Sequence, residues 1–173
     1  MGKLFTITII LFLACSFVGI QAQGTGSVST QITVNIVPGV EVNTISDLDF
    51  GSVGSNTGVS TLGTADDSAG RFLITGAENA EITIGFSAPS HLVSSSGDQS
   101  IPFTSRLAYT HSTNALSGDY TEISPHSPPP LRLGPNTGTS TGSIYISVSG
   151  SIDVGNIPAG TYSGIVTLSA TYN

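Results

Sequence analysis

The sequence predicts an all-β chain, a sandwich or barrel of short strands, and three observations carry that prediction. Apolar and polar residues alternate with period two through most long apolar runs, the mark of strands buried on one side. Between the runs stand turn signals: Pro38-Gly39, Gly54 to Gly58, Ser94 to Asp98, Ser117 to Asp119 and Pro158 to Gly160. No stretch sustains an apolar period of 3.6 residues, so no amphipathic helix is expected. The 173 residues allow one ordinary domain, and the part after residue 22 suits a single sandwich.

In chain order, Lys3 followed by the apolar run Leu4 to Ala14, with Ala22 as a small residue at the cut, reads as a secretory signal over residues 1–22. The run from Leu4 to Ile20 is short for a membrane span and ends in polar residues. Gly2 fits a myristoylation pattern and Phe12 to Cys15 a loose lipobox, but an export signal excludes the first and the apolar run continuing through Phe17-Val18 argues against the second. Residues 23–173 then form one domain without cysteine, so neither a disulfide nor a thiol site is available to it. Export from the cell is the expectation.

The first alternating run is Val28, Thr30, Ile32, Val34 and Ile36, a one-sided strand within residues 27–37. Leu48 and Phe50 alternate with Asp47 and Asp49, which predicts the apolar pair facing the core and the acids facing water. Strands follow at Ile82, Ile84 and Phe86, at Ile144 to Val154, and at Tyr162, Val166, Leu168, Ala170 and Tyr172. Between residues 116 and 141 lie three consecutive prolines, Pro128 to Pro130, which cannot occupy a central strand. That segment reads as a stiff crossover between sheets, with an exposed recognition loop as the second reading.

Composition excludes several functions. Only 9% of residues are charged, against about 25% in an average protein. From Gln23 onward Arg71, Arg106 and Arg132 face 11 acids, a net charge of −8, so no phosphate-binding surface for nucleic acid is available. No catalytic residue, cofactor site or metal site is expected. His91, His111 and His126 stand far apart with no zinc spacing, and no lysine follows residue 22 to make a Schiff base. Asp66-Asp67, in the oxygen-rich loop Gly63 to Gly70, is the one candidate for calcium. With no tryptophan, a glycan platform would fall to Tyr109, Tyr120 or Tyr145.

Three stretches, Ser46 to Val53, Gly70 to Ala77 and Ile157 to Tyr172, together resemble the DUF4402 domain family. That family is itself similar to spore coat protein U-like subunits and to archaic chaperone–usher pilins. The resemblance implies an immunoglobulin-like sandwich lacking its last strand, the gap being filled by the N-terminal strand of the next subunit. On this reading Val28, Ile32, Val34 and Ile36 form the donor face, and Tyr162, Val166, Leu168 and Tyr172 line the acceptor groove. Val40 stands where such pilins carry a cysteine. The function implied is a non-enzymatic pilin-like structural or adhesive subunit, a fimbrial protein of the bacterial cell surface. Its partners would be copies of itself or related subunits, a periplasmic chaperone and an outer-membrane usher, with a surface glycan or protein as ligand. The alternative is a monomeric secreted or envelope-associated binding domain whose sandwich is complete in itself.

Overall fold

Alternation becomes a strand only where the backbone finds a ladder partner, and most of the expected runs find one. The computed structural model of the chain describes Gln31, Thr33, Val34, residues 36–135 and residues 141–173. It divides into residues 1–35 and a unit from Ile36 to Asn173. The described residues of the second unit form a β-sandwich of two sheets without a helix.

In order, the strands are β1 (Glu41–Ser46), β2 (Gly58–Leu62), β3 (Gly70–Ala77), β4 (Glu81–Ser87), β5 (His91–Ser94) and β6 (Ser100–Thr110). There follow β7 (Thr121–Ile123), β8 (Leu131–Arg132), β9 (Gly134–Pro135), β10 (Thr141–Val154), β11 (Tyr162–Ser163) and β12 (Thr167–Tyr172). The larger sheet runs β1-β3-β10-β6-β5-β11, with β2 and β9 added to β10 and β7 to β6; the smaller is β12-β4-β8. Every pairing is antiparallel.

The centre of the larger sheet is β10, whose Ile144, Ile146 and Val148 face Ile82 and Ile84 of the smaller sheet across the main core, together with Ile74, Leu107, Leu131 and Leu133. Farther along, Ile152 and Val154 join Ile101 and Phe103 in a second cluster that Leu48, Phe50, Leu92, Ile157 and Tyr162 cover in part. The two clusters meet near Gly150, where β10 exchanges β3 for β2 as its neighbour. A side chain there would overlap the carbonyl oxygen of Thr104 and crowd the Phe103 ring, so only glycine lets the strands approach this closely.

The Leu48-Phe50 alternation holds, with both residues half-buried and the acids exposed, but the segment is not laddered; Asp49 instead accepts the Gly51 N–H at 2.8 Å and donates its own N–H to Ser68. The expected last strand is two. Tyr162–Ser163 pairs with β5 in the larger sheet, and Thr167–Tyr172 pairs with β4 in the smaller. The phase of Tyr162, Val166, Leu168, Ala170 and Tyr172 survives the break, all of them half-buried while Ile165 points outward. Gly164 makes the change of sheet feasible, since a Cβ there would stand 2.7 Å from Pro89 Cγ. The proline-rich segment is a crossover: the chain leaves β7 in the larger sheet, pairs β8 with β4 in the smaller and returns through β9 to β10.

Candidate functional site

An opening in the sandwich lies where the last segment of chain changes sheets. One wall is the unladdered stretch Leu48 to Val53, the opposite wall Ile157 to Val166, and the floor is formed by Phe103, Val148 and Ile152. The cavity measures about 810 Å³. Phe50 meets Phe103 edge to face, with centroids 6.1 Å apart, and fixes the first wall against the floor. Two free edges adjoin this opening. Among the described residues β1 pairs only with β3, and β12 only with β4, so each presents a row of unpaired backbone groups along one side.

Of the four acceptor-groove residues expected from the sequence, Tyr162 and Val166 line this cavity. Leu168 and Tyr172 continue along β12 with their side chains against the main core. The Tyr162 hydroxyl donates to the Pro158 carbonyl at 2.9 Å, which folds the turn before β11 onto the ring. Tyr172 closes the far end: its hydroxyl donates to the Pro38 carbonyl and accepts the Ala77 N–H, both at 2.6 Å. One side chain of the smaller sheet thereby ties the end of β3 to the segment that leads into β1.

Of the donor residues, Val28 and Ile32 lie outside the described residues. Val34 is 75% and Ile36 88% exposed, and neither belongs to a strand. The Leu48-Phe50 wall was readable from the sequence as core-facing, but nothing in a linear pattern sets it opposite Val166.

A second set of polar contacts escaped sequence reasoning. Tyr145, Ser147 and Ser149 alternate with the core residues of β10 and so lie on the outer face of the larger sheet, together with Arg71 of β3, which pairs with Ser147. Two loops, residues 63–69 and 112–120, cover this face. Arg71 is only 2% exposed, and all five of its N–H donors are used on backbone carbonyls: Nε on Ala115, Nη1 on Asp67 and Ala69, Nη2 on Ala65 and Asp66. The oxygen-rich loop weighed for calcium therefore wraps a guanidinium built into the chain. The Asp66 carboxylate is occupied as well, accepting the Gly63 N–H at 2.6 Å. Ser147 adds a hydrogen bond to the Thr64 carbonyl at 2.7 Å, and Tyr120 one to Ala115 at 2.6 Å. Burial raises the Tyr120 pKa, an effect that the nearby Arg71 partly offsets.

The histidines are dispersed: His91 sits beside Ser90 on β5, and His111 bonds the Arg132 carbonyl at 2.8 Å and meets the Tyr109 ring edge to face. No protein-family model matches the chain, and searches of curated proteins and of solved structures found no match.

Proposed function

We propose that this chain is an exported, non-enzymatic surface protein, a pilin-like structural or adhesive subunit assembled by β-strand addition, with residues 27–37 of a second copy as the added strand. The observation that carries the reading is the coincidence of two free strand edges with a cavity of about 810 Å³ floored by Phe103, Val148 and Ile152 in a chain that also carries an alternating apolar segment ahead of its sandwich. An extended segment in such a groove supplies main-chain hydrogen bonds to the edges and alternate side chains to the cavity. Burying Val28, Ile32, Val34 and Ile36 is worth about 1.5 to 3 kcal/mol each, comparable in sum with the roughly 5 to 15 kcal/mol that holds a whole domain together. The DUF4402 resemblance supports the same reading, and in that setting a periplasmic chaperone would guard the groove before an outer-membrane usher releases the subunit.

The test is the native protein released from the cell surface and run on a denaturing gel with and without boiling. A ladder of subunit multiples that collapses on boiling is the expected result. A single monomeric species in both lanes, melting cooperatively, would replace the proposal with the self-complete binding domain.

A further inference from the structure

The two loops that Arg71 ties together leave a hollow of about 460 Å³ between them, within the range of roughly 300 to 1,000 Å³ common for ligand sites. Its sides are Asp67, Thr113, Asn114 and Tyr145, its rims the exposed Ile45 and Leu116, and Arg71 contributes to its floor. It opens on the outer face of the larger sheet, away from the cavity between the sheets.

The hydrogen-bonding groups here are uncommitted in a telling way. Among the described residues the Asp67 carboxylate and the Thr113 and Tyr145 hydroxyls make no hydrogen bond. Asn114 spends its Oδ1 on the Leu116 N–H at 2.9 Å, and its amide N–H groups remain as donors. The hollow thus offers a planar acceptor, a planar donor, two hydroxyls that can do either, one half-buried aromatic ring and two aliphatic rims.

Ligand classes can be separated on that basis. An anion finds no free cationic donor, because Arg71 has none left and Asp67 repels it. An apolar ligand would strip water from Asp67 and give nothing back. A cation meets a single carboxylate with no further charge to balance it. What fits is a neutral molecule with donors and acceptors side by side and an apolar face for the ring and rims. We infer that this hollow is a binding subsite for a neutral saccharide, one pyranose ring lying against Tyr145 with its hydroxyls on Asp67 and Asn114. Both walls hang from one buried guanidinium, so the site is held in shape before the ligand arrives, which reduces the ordering cost of binding. The inference does not rest on strand addition, and it gives a surface protein of either assembly state something to hold.

The experiment is saturation-transfer NMR on the mature chain with glucose, galactose, mannose and N-acetylglucosamine as probes, repeated with Asp67→Asn and Tyr145→Leu. Transfer to at least one sugar is expected, with affinity falling about tenfold or more in Asp67→Asn, as suits loss of a charge-assisted hydrogen bond. The Asp67 side chain supports nothing else among the described residues, so that variant keeps its fold, which an unchanged melting temperature verifies, and it decides the matter if Tyr145→Leu is unstable. No transfer to any of the four sugars, or transfer that Asp67→Asn leaves unchanged, overturns the inference.

Discussion

A guanidinium that is 2% exposed and forms no ion pair among the described residues would be a heavy liability were its five donors not all taken by carbonyl oxygens. Removing it leaves those carbonyls without their donor and frees two loops at once. Arg71→Leu should therefore cost at least about 3 kcal/mol, with Arg71→Lys intermediate because an ammonium has three donors where the guanidinium has five; urea midpoints check both. Tyr120 gives a second test on the same cluster. Its pKa is raised by burial from the ordinary 10.0, so the folded chain holds the phenolic proton after the unfolded chain has lost it. Stability from this group is intact below the ordinary value and is lost as pH climbs through the raised one. Urea unfolding between about pH 9 and 11 should show a falling stability, and Tyr120→Phe should flatten that fall. No spacing announced this cluster. Arg71 is a single base in an apolar strand, and its five partners were identifiable only once the turn before it and a loop more than 40 residues later had come together.

Elements were legible to the extent that they are made by alternation. The Ile82-Phe86 run and the long Ile144-Val154 run became β4 and β10, because a period of two puts every second residue on one face whatever the topology. The 162–172 run shows where that reasoning stops, since alternation survived while the strand broke and its halves joined different sheets. The crossover reading of the proline-rich segment agrees with the structure for a local reason, the missing N–H groups of Pro128 to Pro130. The sheet contacts near the end of β12 supply a test at this scale. A Cβ on Gly76 would lie 2.6 Å from the Tyr172 hydroxyl, so Gly76→Ala should displace that hydroxyl from Ala77 and Pro38. Gly76→Ala and Tyr172→Phe should each cost about 1 to 3 kcal/mol. The double variant should cost clearly less than their sum, since both remove the same bridge; additive melting data would show that the bridge is not shared.

For the whole molecule, the proposed strand addition turns on whether residues 27–37 are the added strand. Ile32→Asp with Val34→Asp should abolish the unboiled ladder and leave secreted monomer, because two carboxylates buried without partners are costly; an unchanged ladder would exclude residues 27–37 as the added strand. Composition and periodicity by themselves determined the all-β class, the absence of cysteine after residue 22 and the phase of the core residues of β4 and β10. Those properties depend on residue type and on a period of two, and both are local. Tertiary structure alone decided that Leu48 and Phe50 face Val166 across a cavity, that the 162–172 run serves two sheets, and that Arg71 takes the place of a cation beneath two loops. Each of these depends on contacts between residues far apart in the chain, and such contacts are chosen by how the sheets stack, which no local pattern encodes.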